Sequence, residues 1–203
     1  MSIKGIICGL GNPGAKYAST RHNVGFMVMD RLIQSAQKIP EEQVRLITEA
    51  SNYILWEWSK LYDTDRWLLL KPMTFMNRSG AALSKIFFRA MIDADRLMIV
   101  HDEVDLPLGT LKIKSGGGLA GHKGLRSIAD DLGTRDFIRL RFGVGRPETG
   151  FDLSQYVLDK FMPEERDLRD QVIDMAVQSI RSFCDNGLNM AREKIRNLSN
   201  PVK

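Results

Sequence analysis

The sequence predicts an α/β layered fold in a single domain, and three observations carry that expectation. Short apolar runs that read as buried strands, Ile3 to Cys8, Arg66 to Lys71 and Arg96 to His101, recur between longer stretches with helical periodicity. A chain of 203 residues suits one domain and can bury a core without disulfides or metal. No internal repeat, low-complexity tract or linker rich in Gly, Pro or Ser divides it.

Taken in order, Ile3 to Cys8 is the first strand, and a helix runs from Val24 to about Ile39 with Val24, Val28 and Leu32 on one face. Val44 to Ala50 and Tyr53 to Ser59 alternate as a strand pair around the turn Ala50-Ser51-Asn52. Arg66 to Lys71 is a buried strand stopped by Pro72, after which Thr74 is the expected N-cap of a helix from Phe75 to about Met91. Arg96 to His101 is another central strand, Leu111 to Lys114 a short one, and a glycine run feeds a helix over Leu125 to Leu132. Phe137 to Val144 is a strand. Pro163 starts the longest helix, through Cys184, and Gly187 separates it from a last amphipathic helix over Leu188 to Arg196.

The loop after the first strand, residues 9 to 23, holds two carboxamides, a tyrosine, an arginine and one of three histidines in the chain. Loops at such strand ends are where open α/β sheets place their chemistry. Gly9, Gly11 and Gly14 fit G-x-G-x-x-G, but a dinucleotide turn needs an apolar helix directly after the last glycine. Ala15 to His22 shows no helical stripe, and the one acidic residue at a suitable distance, Asp30, falls inside the predicted helix. The pattern therefore disfavours a nucleotide.

The net charge is +4, concentrated between Thr110 and Arg146, where eight basic residues stand against three acidic ones. A local excess favours a surface for an anionic partner. Cys8 and Cys184 read as buried thiols in a reducing compartment. No apolar run approaches 18 residues and Met1 to Gly5 is not a signal peptide, so a cytoplasmic chain without a membrane span is expected.

Three polar clusters fall at the ends of apolar strands: Asn12 to Asn23, Met73 to Ser79 and His101 to Asp105. Should they converge, they assemble His22, Asp102, Asn12 and Asn77 without a nucleophilic side chain, for there is no G-x-S-x-G elbow and neither cysteine has a base beside it. Water is then the attacking group, with a histidine as base and a carboxylate to fix its tautomer, which suits an activated ester better than an amide. The alternative for each polar residue is a turn former or a structural hydrogen bond. A metal site built from His101, Asp102, Glu103 and Asp105 is disfavoured, because on a strand Asp102 points away from His101 and Glu103. The run Ser115 to Gly124 reads either as a mobile connection or as backbone that approaches a phosphate at a helix N-terminus, flanked by Lys112, Lys114, Lys123 and Arg126.

Five separated motifs together resemble the bacterial peptidyl-tRNA hydrolase family. They are Gly9 to Gly14 with Tyr17 and Thr20-Arg21-His22-Asn23, Lys71 to Gly80, His101 to Pro107, the Gly116 to Gly124 loop, and Arg139 to Pro147, in the family's order from residue 3 to about 190. The resemblance implies a monomeric single domain with a twisted mixed sheet between helices. It also implies hydrolysis, without cofactor or metal, of the ester joining a peptide to the terminal ribose of tRNA, which recycles stalled tRNA in translation. By position, His22 is the implied general base and Asp102 its orienting partner. Asn12 and Asn77 hold the peptide and the reacting carbonyl, Met76 and Tyr17 line the groove, and Lys114 and Arg141 hold tRNA phosphates near the acceptor end and 3′ CCA; Lys112, beside the glycine run, is expected to join them.

One departure stands out: the family's Gly-His-Asn-Gly is Gly121-His122-Lys123-Gly124 here. A lysine cannot accept a hydrogen bond as a carboxamide oxygen can, so Lys123 is expected to meet the substrate's tRNA 3′ end by charge. A non-catalytic RNA-binding relative is the rival reading. Retention of His22, Asp102, Asn12 and Asn77 together favours the enzyme, since RNA binding alone does not require them.

Overall fold

Ile3–Gly9 forms β1, whose side chains are buried towards both faces because helices cover the sheet on both sides. The computed structural model describes residues 2–147 and 150–199. Six further strands join β1: β2 (Glu42–Glu49), β3 (Tyr53–Lys60), β4 (Arg66–Pro72), β5 (Leu97–Glu103), β6 (Leu111–Ser115) and β7 (Ile138–Gly143). Their order is β2-β3-β4-β1-β5-β7-β6. β1 runs parallel to β4 and β5, and β5 parallel to β7, while β2, β3 and β6 are added antiparallel. This is the mixed sheet that the resemblance implied.

Alternation along the strands sorts the core into two layers. Ile7, Leu69, Met98, Val100 and Leu140 meet α1 (Val24–Ala36), α5 (Arg166–Asn186) and α6 (Leu188–Ser199) on one face. Ile6, Cys8, Leu68, Leu70 and Ile99 meet α2 (Ser79–Ala90) and α3 (Lys123–Leu132) on the other. Each such buried Leu or Ile contributes about 1.5–3 kcal/mol over an exposed one. A short helix, α4 (Leu153–Leu158), lies outside this framework and was not expected from the sequence.

The glycine pattern after β1 serves packing. A Cβ on Gly9 would stand 2.4 Å from the carbonyl oxygen of Gly25, and one on Gly11 2.6 Å from the Phe26 ring. β1 and α1 approach so closely that only glycine fits, and no helix opens at Gly14 for a pyrophosphate to sit on.

Several element boundaries differ from expectation for identifiable reasons. α1 ends at Ala36 rather than near Ile39: Gln37 keeps helical geometry, but Lys38 and Ile39 tighten to the carbonyls of Ser35 and Ala36, three residues back, ahead of Pro40. Thr74 caps nothing: the chain makes a 3-10 turn at Met76–Arg78 before α2, and the Thr74 hydroxyl is buried without a partner. The Met76 N–H is met instead by the side chain of Asn12. α3 begins two residues early because His122 caps it, and α5 follows a 3-10 turn at Pro163–Glu165. Among the described residues no helix is long and apolar enough to cross a membrane.

Candidate active site

The three polar clusters converge. They gather at the carboxyl ends of β1, β4 and β5, around a cavity of about 350 Å³ lined by Asn12, His22, Met76, Asn77, Asp102 and Lys123 among others. β5 runs on through Glu103, past the end of its pairing with β1 at Val100, so Asp102 is a strand residue paired with Phe142 of β7. His22 arrives from a 3-10 turn at Arg21–Asn23 that leads into α1.

Asp102 is the centre of the site, and its side chain is 2% exposed. One oxygen, Oδ1, receives both His22 Nδ1 at 2.8 Å and His122 Nε2 at 3.0 Å. The surrounding bonds fix both tautomers. His122 Nδ1 accepts the backbone N–H groups of Gly124 and Leu125, so it carries no proton and Nε2 is the donor to Asp102. His22 donates from Nδ1, which leaves its Nε2 lone pair free to take a proton. Burial by itself raises the Asp102 carboxyl pKa; the imidazoles of His22 and His122 together outweigh it and hold the carboxyl below its ordinary range.

His101 completes a row of all three histidines, its ring edge-on to His122 with centroids 5.0 Å apart. Its Nδ1 donates to the Asp102 carbonyl at 2.7 Å, while Nε2 is buried without a partner. Burial, then the neighbouring His122, push its pKa down to about 3, so it is neutral. The metal set weighed from the sequence does not form, for Glu103 pairs with Arg141 and Asp105 with Arg146. His22, Asp102 and His122 do bring three ligand atoms within 4.8 Å of one another, the one such cluster among the described residues.

Asn12 is locked from three directions. Its N–H donates to Asn23 Oδ1 and its carbonyl accepts from Asn23 Nδ2, both at 2.9 Å, and its own Oδ1 accepts from Met76 N at 2.8 Å. With the oxygen committed, the NH₂ end of the amide is left as a donor at the cavity. Asn77 lines the same cavity from an exposed position.

Other expected residues fall around this centre. Tyr17 does not line the cavity itself; its ring packs edge-on against Phe75, which does, with centroids 6.5 Å apart. Lys123 is the first residue of α3 and exposed at the cavity. Lys112 pairs with Arg141 and Lys114 with Arg139 across β6 and β7, which puts the four basic residues on one face of the sheet edge. Lys112 and Lys114 are exposed, whereas Arg141 is partly committed to Glu103 at 2.9 Å. Arg139 is turned inward and donates to the carbonyls of Gly116 and Gly118, so it holds the glycine run in shape. The sequence reading missed His122, Asn23 and the α4 wall of the cavity, Leu153, Ser154, Val157 and Leu158. The signals available for His122 were the scarcity of histidine and its place in the Gly121-His122-Lys123-Gly124 motif, where attention fell on Lys123.

A mixed α/β sheet with a histidine–carboxylate centre and fixed carboxamides at the ends of its parallel strands defines a hydrolase-type site rather than a nucleotide fold. The peptidyl-tRNA hydrolase family model matches residues 6–202. A peptidyl-tRNA hydrolase of Oleidesulfovibrio alaskensis is 43% identical over 196 residues, 96% of this chain and 97% of that protein. Another, from Thermodesulfovibrio yellowstonii, is 43% identical over 188 residues, 92% of this chain and 95% of the relative. The crystal structure of peptidyl-tRNA hydrolase from Acinetobacter baumannii superposes with a TM-score of 0.84 at 33% identity, over 94% of this chain and 93% of that one. The chain belongs to the peptidyl-tRNA hydrolase family.

Proposed function

We propose that His22 is the general base of a water attack on the ester of peptidyl-tRNA. The chain is a peptidyl-tRNA hydrolase and releases tRNA from peptidyl-tRNA. The observation that carries the mechanism is the 2.8 Å contact of His22 Nδ1 with Asp102 Oδ1, which makes Nδ1 the donor to the carboxylate and leaves Nε2 as the acceptor. Water gives a proton to Nε2 as its oxygen bonds to the ester carbonyl carbon. The negative charge that develops on the carbonyl oxygen is met by the NH₂ of Asn12, with Asn77 as a second donor. When the carbon–oxygen bond to the ribose breaks, the imidazolium returns the proton to the leaving ribose oxygen. Asp102 orients the imidazole and stabilises its charged form, and His122 orients Asp102.

Met76 and Phe75 with α4 give the peptide an apolar wall, and Tyr17 supports Phe75. Lys112, Lys114 and Arg141 meet phosphates of the acceptor end, and Lys123 meets the 3′ CCA. The chain works as one domain over residues 1–203, as a monomer in the cytoplasm, and its own side chains supply the base and the donors without a cofactor. Release of an N-blocked peptide from tRNA by the purified protein, in buffer free of metal and nucleotide, is the test. No release by the wild type under those conditions overturns the reading.

A further inference from the structure

Arg21, beside the proposed base, is buried at 4% exposure and has no contact with the cavity. Its guanidinium instead gathers the chain that leaves α4. One nitrogen, Nη1, donates to the Lys160 carbonyl at 2.7 Å and lies 3.5 Å from that of Asp159, and the other, Nη2, pairs with Glu165 Oε2 at 2.7 Å. Its Cζ lies over the rings of Tyr156, 4.4 Å from the centroid, and Phe161, at 5.2 Å. The backbone adds a matching seam, with the Arg21 N–H donating to the Asp159 carbonyl and Thr20 bridged to Lys160. α4 is fastened at a second point, where the Tyr156 hydroxyl donates to the Val144 carbonyl at 2.7 Å.

We propose that Arg21 is a positioning residue that holds the α4 wall in register with the turn carrying His22. α4 contributes Leu153, Ser154, Val157 and Leu158 to the cavity, yet it has only six residues and no buried side chain of its own. Such a segment has little packing to fix its place, so its position relative to His22 rests on these anchors. A planar guanidinium can bind a carboxylate and a carbonyl at once while stacking on aromatic faces; a lysine cannot. His22 has an independent anchor in Asp102. Loss of the Arg21 link therefore moves the wall that touches the peptide more than the base that touches water. The inference rests on the cavity being the substrate site.

The test is steady-state kinetics of folded Arg21→Lys, Glu165→Gln and Tyr156→Phe variants on an N-blocked peptidyl-tRNA, well below their melting temperatures. KM is expected to rise by about fivefold to tenfold with kcat within about twofold of wild type, the pattern of lost binding shared by ground and transition states. A wall of purely structural value lowers melting temperature and leaves KM alone. Should Arg21→Lys fail to fold, Glu165→Gln, which removes the carboxylate partner of Arg21, decides by the same measurement, with Tyr156→Phe reporting only on the second fastening point. Unchanged KM in the folded variants, or kcat falling with KM unchanged, overturns the proposal. His22→Ala measured alongside separates the two readings: activity retained there removes His22 as the base, whatever Arg21 does to KM.

Discussion

The side-chain oxygen of Asn12 accepts the backbone N–H of Met76, a contact between residues 64 apart in sequence. It joins the loop after β1 to the turn before α2, and it selects which end of the carboxamide faces the cavity. The residue that caps the turn is thereby the one proposed to receive the carbonyl charge.

Replacing Asn12 by Asp keeps the acceptor for Met76, removes the NH₂ donor and adds a negative charge where one develops in the reaction. Turnover of Asn12→Asp is expected to fall by about 10²–10³, the scale of a lost oxyanion donor, with a melting temperature near wild type. Asn12→Ala loses the NH₂ donor and the bond to Met76, keeps the backbone bonds to Asn23, and should also lose about 1–3 kcal/mol of stability, since the buried Met76 N–H is left unpaired. Wild-type turnover in Asn12→Asp would show that the NH₂ is not used.

His22→Ala should lower turnover by about 10²–10⁴, the range for a general base, and leave tRNA affinity nearly intact. More than a tenth of the rate remaining would exclude that role. Asp102→Asn should be slower than wild type by misorienting the imidazole, with an altered pH–rate profile. His122→Asn is the informative third variant: asparagine still caps α3 but cannot reproduce the Nε2–H bond to Asp102. A loss of about tenfold with an unchanged melt fits a residue that acts through the carboxylate; an unchanged rate would limit His122 to the cap.

These side chains differ in how visible they were in the sequence. The central strands were legible because their residues are apolar in short continuous runs, while the mixed sheet between helices came from the resemblance. Asn12, His22 and Asp102 stood at the ends of such runs, and the family's motifs supplied their roles. His122 was hidden because its importance arises from a cap: Nδ1 is spent on Gly124 and Leu125, and that alone aims Nε2 at Asp102. Thr74 misled for the complementary reason, since local spacing made it the cap while a residue 64 positions from Met76 took the bond. α4 left no signal because six exposed or half-buried residues carry no buried stripe.

His101 should make the protein sensitive to mild acid. Its pKa is near 3 in the folded chain against an ordinary value of 6.5, so between these pH values the unfolded state binds the extra proton. The neutral ring's contribution is complete above about pH 6.5 and is lost progressively as pH falls towards 3, by up to about 1.4 kcal/mol for each pH unit. Asp102, whose carboxyl is held low, loses its contribution only in stronger acid. Urea unfolding from pH 8 to pH 4 should show this decline in the wild type and a flatter curve in His101→Gln. Parallel curves would assign the acid sensitivity elsewhere.

The basic face of β6 and β7 should respond to salt unevenly. Lys112→Ala and Lys114→Ala should each weaken tRNA binding and reduce the slope of log affinity against log salt by about one unit per lost phosphate contact. Arg141→Ala differs because it strands Glu103, whose side chain is 5% exposed, so a stability loss should accompany any change in slope. Hydrolysis of a small ester lacking most of the tRNA should change little in the two lysine variants. Slopes identical to wild type would place the phosphates on another surface.

Lys123 takes the position where the resemblance implies a carboxamide, and its surroundings suit an anion. It opens α3, where the first N–H groups and the helix dipole favour negative charge. His122 has already claimed the N–H groups of Gly124 and Leu125, so the lysine's own charge is the main attraction left at that end. The side chain is exposed at the cavity beside the imidazole cluster, a long stem able to reach a phosphate of the 3′ end without entering the His22–Asp102 pair. Lys123→Ala should weaken substrate binding by up to about 1 kcal/mol, the scale of a solvent-exposed charge contact. Lys123→Asn should make KM less sensitive to salt and raise turnover, because an amide oxygen is again present to orient the substrate. Wild-type rate and salt dependence in both variants would make Lys123 a neutral surface substitution.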